Sequence, residues 1–142
     1  MPLVRPATAA DATSMSVLFA QFEHPTPAEP IPARLARLLS HDGQALVASD
    51  DTGLLGIATT QIVWSLVEDA PRALLTALVV REDTRGRGVG RALVTAVEHW
   101  ARERGAERVV VTTALRRAGA HAFYERLGFE FTGRRYVKSI IR

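Results

Sequence analysis

Apolar and polar positions along this chain repeat with two different periods, and the switches between them mark its elements. Leu3-Val4-Arg5-Pro6 predicts a short first strand. Thr8-Ala9-Ala10-Asp11 has the form of a capping box with Asp at N3 in place of the usual Glu. Behind it Met15, Leu18, Phe19 and Phe22 keep helical spacing, which predicts a helix of roughly 8–23. The stretch from His24 to Pro32 holds four prolines in nine residues and predicts a loop. Pro32 suits the first turn of a second helix running to about Leu39, closed by His41-Asp42-Gly43.

The period then shortens to that of strands. Ala45-Leu46-Val47-Ala48 leads into Asp50-Asp51-Thr52-Gly53, a hairpin turn signal, and Leu54 to about Leu66 predicts a longer return strand. Val67 to Pro71 breaks it, and Ala73 to Val80 is apolar enough for a strand buried on both faces. After a glycine-rich loop, Val89, Leu93, Ala96, Val97 and Trp100 restore helical spacing to about Arg104, with Gly105 as C-cap. Val109 to Thr113 predicts a short buried strand, and Ala118 to Leu127 a helix ended by Gly128. Phe129-Glu130-Phe131 and Tyr136 to Ile141 predict two closing strands around Thr132-Gly133. The order β-α-α-β-β-β-α-β-α-β-β describes an α/β (α+β) sheet, antiparallel at first and mixed later, covered by helices. With no linker or repeat, the 142 residues fit one domain, 1–142.

The loop Arg85-Gly86-Arg87-Gly88-Val89-Gly90-Arg91 carries the most chemistry. Glycine lets main-chain N–H groups come close to a bound group. A helix starting there adds unpaired N–H groups and the positive end of its dipole, which together suit a phosphate or pyrophosphate. The Walker pattern fails because Gly90 is followed by Arg91-Ala92, and a dinucleotide fingerprint starting at Gly86 would need glycine at position 91.

Composition narrows the compartment and the partners. The chain has no cysteine, so disulfides, thiolate metal sites and a cysteine nucleophile are excluded. No His/carboxylate cluster has metal-ligand spacing, so no metal is expected. Apolar runs such as Ala77 to Val80 fall far short of the ~20 residues that span a bilayer. The first residues lack the apolar core of a signal peptide, so the expected location is cytoplasmic, with no membrane partner. A net charge of +3, almost all from arginine, without an aromatic-rich basic stripe, fits a small polyanion better than nucleic acid.

Read as Arg-x-x-Gly-x-Gly, with Arg85, Gly88 and Gly90, the loop resembles the acyl-CoA pyrophosphate loop of the GCN5-related N-acetyltransferases, the GNAT superfamily. Leu78-Val79-Val80 and the residues to Gly86 resemble that family's fourth strand and its loop. The run from Ala120 to Phe129 resembles its fourth helix and following strand, and Val4 to Asp11 a common opening. The match is ordered and covers nearly the whole chain. It implies a GNAT-like, largely antiparallel twisted sheet of about seven strands with about four helices.

The resemblance also implies roles. The main chain of Arg85, Gly86, Arg87, Gly88, Val89, Gly90 and Arg91 would cradle the pyrophosphate of acetyl-CoA. The backbone of Leu78, Val79 and Val80 would pair with pantetheine and polarise the thioester carbonyl. Tyr124 would donate a proton to the departing thiolate. Arg117 stands where the family often has an Asn that contacts pantetheine, and is a candidate contact to CoA. The strand 73–80 has no carboxylate for a general base; Glu23, His24 and Glu68 are the alternatives, and His121 reads as packing or surface.

The expected activity is acetyl-CoA-dependent N-acetyl transfer by direct attack of a primary amine in a ternary complex. Glu23, Glu29, Glu68 and Asp69 suggest an anionic rim for a small-molecule cationic amine. A protein lysine or N-terminal acetyltransferase, a non-catalytic acyl-CoA-binding module and a nucleic-acid-binding domain are the alternatives. The family also implies a homodimer.

Overall fold

The computed structural model describes residues 2–22, 25–112, 118–133 and 135–141. These fall into two compact units, one ending at Val111 and one beginning at Thr112.

The first unit is built on a five-stranded sheet in the order β1-β2-β3-β4-β5. The strands are β1 (Leu3–Pro6), β2 (Gly43–Asp50), β3 (Gly53–Val63), β4 (Arg72–Val80) and β5 (Val109–Val111). The first four pair antiparallel, and β4 pairs parallel with β5. A parallel neighbour needs a crossover, which is the helix α3 (Val89–Glu103). Ahead of β2 lie α1 (Ala12–Ala20), entered through a 3-10 turn at Ala9–Asp11, and α2 (Ile31–Ser40). The capping residues expected at 8–11 meet here: the Thr8 N–H donates to Asp11 Oδ2 at 2.8 Å. The Asp11 carboxylate also holds the Arg5 guanidinium through two oxygens, at 2.8 and 2.9 Å, which ties α1 to β1.

Helices cover both faces of the sheet. Met15 and Leu18 of α1 and Ile31 and Leu35 of α2 pack with Val47, Ile57 and Val79. On the other face Leu93, Val94 and Val97 of α3 are buried, and Trp100 packs with Ala73, Ala101 and Ala106. Each fully buried large aliphatic side chain contributes roughly 1.5–3 kcal/mol.

The second unit contains α4 (Ala118–Arg126), the fourth α-helix among the described residues. Gly128, at φ 93°, ends it, and the Phe129 N–H returns to the Tyr124 carbonyl at 3.0 Å.

Two expectations change. Five strands stand among the described residues in place of about seven: the described parts of 129–133 and 135–141 are irregular. Phe-Glu-Phe and the run after Tyr136 have strand periodicity, but a strand also needs a partner for its main-chain groups. Among the described residues none pairs with these, and Phe131, Tyr136, Val137, Ile140 and Ile141 are exposed. β4 is also not buried on both faces, because Thr76 is exposed in its middle.

Candidate functional site

The loop that follows β4 is anchored before its glycines begin. The Arg81 N–H donates to the Leu55 carbonyl at 2.7 Å. The Arg81 side chain reaches Asp83 at 2.6 Å and Thr52 Oγ1 at 3.0 Å. A 3-10 turn, Glu82–Thr84, comes next, with Thr84 buried and its hydroxyl donating to the Arg81 carbonyl. Gln21, at the end of α1, accepts the Glu82 N–H at 3.0 Å.

Gly86 and Gly88 then take left-handed conformations at φ 83° and 85°. L-residues with a Cβ avoid this region, which explains glycine at both places. Gly88 is the N-cap of α3, and the first helical bond runs from the Ala92 N–H to the Gly88 carbonyl at 3.0 Å. The N–H groups of Gly88, Val89, Gly90 and Arg91 therefore precede any helical partner. Arg85, Arg87 and Arg91 are exposed. Asp83 is held below the usual carboxylate range, first by its hydrogen bond from Arg81 and to a lesser extent by the charges of Arg81 and Arg87. The turn thus gathers main-chain donors and three cations at a positive helix end, an arrangement suited to a diphosphate.

The start of α3 sits close on the sheet at Gly56. A Cβ there would meet the Val79 carbonyl at 2.8 Å, Leu93 Cδ1 at 3.0 Å and Val89 Cγ1 at 3.2 Å. Glycine at 56 lets the helix N-terminus settle beside the end of β4.

β4 offers a main-chain edge next to this turn. It pairs with β5 only from Ala73 to Leu75. From Thr76 to Val80 that edge has no strand partner among the described residues. The Arg81–Leu55 bond fixes the antiparallel alternation, so the main-chain groups of Leu78 and Val80 point away from β3 towards the open edge. Those of Val79 face β3, and its side chain lies in the core. Of the three residues expected to offer main chain to a ligand, Leu78 and Val80 have it available.

A bulge interrupts β4 at the same place. Thr60 is opposite Leu75 and Thr59 is opposite Ala77, which leaves Thr76 as the extra residue. The Thr59 and Thr76 hydroxyls are 2.6 Å apart. The only trace of this pair in the sequence is three hydroxyl residues, Thr59, Thr60 and Thr76, in mostly apolar strands.

Tyr124 lies on α4 in the second unit. It is half-buried, with its ring edge-on to Phe123 at 5.3 Å and to Phe129 at 5.5 Å. Arg117, Glu23 and His24 lie outside the described residues. Glu68 is no free base: one carboxylate oxygen takes Arg72 at 2.6 Å and the other takes Arg108. This also removes Glu68 from an anionic rim. A shallow cavity of about 360 Å³ beside α2 and β3 is lined instead by Arg34, Arg37, Leu38, His41 and Gln61. Among the described residues no group of His, Asp and Glu has the makings of a metal site, and no helix is long and apolar enough to cross a membrane.

The arrangement is an α/β fold in which, among the described residues, the parallel crossover opens with a glycine turn and an anion-receptive helix end. The model of the Acetyltransferase (GNAT) family matches residues 13–129, and the chain belongs to that family. It is 30% identical over 137 residues to an aminoglycoside N(6')-acetyltransferase type 1 of Stenotrophomonas maltophilia, covering 94% of this chain and 89% of that protein. It is 31% identical over 99 residues to N-acetyltransferase 8F1 of Rattus norvegicus, of whose length the match spans 45%. Among solved structures, the aminoglycoside N-acetyltransferase AAC(6')-Iy in complex with CoA superposes with a TM-score of 0.86 at 22% identity, over 98% of this chain and 94% of that one. Glucosamine-6-phosphate N-acetyltransferase from Arabidopsis thaliana gives 0.86 at 17% identity, over 99% of both chains.

Proposed function

We propose that this chain moves the acetyl group of acetyl-CoA to the primary amine of a small molecule, by direct attack in a ternary complex. The observation that carries this reading is the left-handed Gly86–Gly88 turn at the N-terminus of α3, set beside the β4 edge that has no strand partner from Thr76 to Val80 among the described residues. The turn's N–H groups would hold the pyrophosphate, and the Leu78 and Val80 main chain would hold the pantetheine arm. The Leu78 or Val80 N–H would stabilise the negative charge that develops on the thioester oxygen.

The chemistry balances without a covalent enzyme intermediate. The amine nitrogen forms a bond to the carbonyl carbon and the carbon–sulfur bond breaks. The proton lost by the new amide nitrogen equals the one gained by the departing thiolate. Tyr124, by its likeness to the family tyrosine, supplies that proton and recovers one through solvent. A small-molecule acceptor is supported by the aminoglycoside acetyltransferase relative, which spans nearly the whole chain.

The test is a calorimetric titration with acetyl-CoA, followed by thiol release across a panel of amines: neamine, glucosamine 6-phosphate, spermidine and a lysine peptide. Binding with micromolar affinity and amine-dependent thiol release are expected. Binding without release from any amine would favour the non-catalytic module, and turnover of the peptide alone would move the acceptor to protein.

A further inference from the structure

The bulge in β4 does more than kink the strand. Ala73 packs on the α3 face, and Val79, six residues on, packs on the α1/α2 face. An unbroken strand would keep both on one face, since side chains alternate with period two. The extra residue, Thr76, is where the faces exchange. Ile57 of β3 belongs to the α1/α2 face, and Thr59 lies two residues along the same strand. Thr76, hydrogen-bonded to Thr59, therefore opens to that face too. It is also the first β4 residue beyond the last pairing with β5.

The protons of this pair can be counted. The Thr76 hydroxyl is placed to donate to the Thr59 carbonyl at 3.1 Å. The Thr59 hydroxyl then supplies the proton between the two oxygens, 2.6 Å apart. Both protons are used inside the pair, so what remains outward is lone pairs, and those accept hydrogen bonds. A carbonyl or carboxylate finds no donor there, whereas an amine or ammonium finds an acceptor.

We infer that the Thr59–Thr76 hydroxyl pair receives an N–H of the acceptor amine and positions its nitrogen for attack. This rests on the proposed function, in which the pantetheine arm lies along the β4 edge that begins at Thr76. Leu78, whose N–H faces the open edge, is two residues from Thr76, about 7 Å along a strand. An amine held at the hydroxyls would therefore stand next to a carbonyl polarised at Leu78. The pair contacts the acceptor and takes no proton from it, which is consistent with β4 carrying no carboxylate.

The test is Thr76→Val, which keeps the shape and removes the hydroxyl, alongside Thr76→Ser, which keeps the hydroxyl. Steady-state kinetics use acetyl-CoA with the best acceptor of the amine panel, and acetyl-CoA affinity and thermal unfolding are measured on each variant. The expected result is an amine KM raised about tenfold in Thr76→Val, the worth of one hydrogen bond to a charged group. Acetyl-CoA affinity should stay within twofold, and Thr76→Ser should return the amine KM to within threefold of native. An amine KM unmoved by Thr76→Val, or raised equally by Thr76→Ser, would overturn the inference while leaving acetyl transfer intact. Native protein that fails to bind acetyl-CoA would overturn the proposed function and this contact together.

Discussion

Replacing Gly88 with Ala tests whether the glycine turn is built for a ligand. Gly88 sits at φ 85°, ψ 7°, and an added Cβ would have nothing within 4 Å. The penalty is therefore torsional, about 1–2 kcal/mol for a residue with a Cβ in the left-handed region. Where it is felt depends on whether the turn can relax. Gly88 ends a run of exposed residues, 85–88, and the free loop has room to release the strain by returning to negative φ, whereas Gly105 is held by its own N–H to the Arg102 carbonyl and by the Ala106 N–H to the Ala101 carbonyl, both at 3.0 Å. Binding must then restore the turn, so the whole penalty falls on affinity. At about 1.4 kcal/mol per tenfold, the Kd for CoA rises roughly 5–30-fold. Gly105, past the other end of α3, provides the control. Its φ is 82° and it too has nothing within 4 Å of an added Cβ, but it lies about 25 Å away along the helix. Gly105→Ala should lower unfolding free energy by a similar 1–2 kcal/mol and leave CoA binding alone. Calorimetric titration with CoA and urea unfolding on both variants read the two quantities. A Kd for Gly88→Ala within twofold of native, or an equal loss of affinity in Gly105→Ala, would refute the role given to the turn.

Gly56→Ala drives a Cβ to 2.8 Å from the Val79 carbonyl, a main-chain atom of β4, and to 3.0 and 3.2 Å from Leu93 and Val89 of α3, so the β3–β4 pairing and the start of α3 must both shift. Urea unfolding should show about 1–3 kcal/mol lost, with weaker acetyl-CoA binding alongside. Asp11 is held at about 2, below its ordinary 3.8, chiefly by the hydrogen bond from Arg5. Because the folded value is the lower one, its stabilisation is full above about pH 4 and fades as pH falls towards 2. Asp11→Asn should remove about 1 kcal/mol of that pH-dependent stability, after solvent screening at Arg5, as read by unfolding at pH 6 and about pH 2.5. Tyr124→Phe should lower kcat more than it raises the KM for acetyl-CoA; an unchanged kcat with acetyl transfer rate-limiting would exclude the acid role.

The parts of this fold legible in the sequence are those fixed by local chemistry. The capping pair Thr8 and Asp11, the proline at the start of α2, the hairpin turn at 50–53 and the spacing of Val89, Leu93, Val97 and Trp100 each act within a few residues. The glycine turn was legible for the same reason: the demand for left-handed φ at 86 and 88 is met only by residue type. What escaped depends on partners distant in sequence. Phe129-Glu130-Phe131 has the period of a strand, but period alone supplies no neighbour. Glu68 looked like an available carboxylate until Arg108, forty residues away, closed on it. The bulge at Thr76 is invisible because a bulge is a mismatch of counts between two strands, and one strand read alone has no count to compare.

That mismatch gives β4 its usefulness. A strand with strict alternation would commit one side of its residues to the α3 core and the other to the α1/α2 core over its whole length. By inserting Thr76, the chain changes the assignment halfway. Ala73 and Leu75 are buried before the bulge and Val79 after it, each with a core to enter. The inserted residue itself belongs to neither packing pattern, which is why a hydroxyl can stand there in a run of Leu, Ala and Val at little cost to the core. The same step coincides with the end of the β5 ladder. Among the described residues, an edge without a strand partner, a change of face and an exposed polar side chain thus fall at one position. In the proposed function β4 supports a core, offers its main chain to an extended cofactor and faces an acceptor, and these three departures from regularity serve those three tasks.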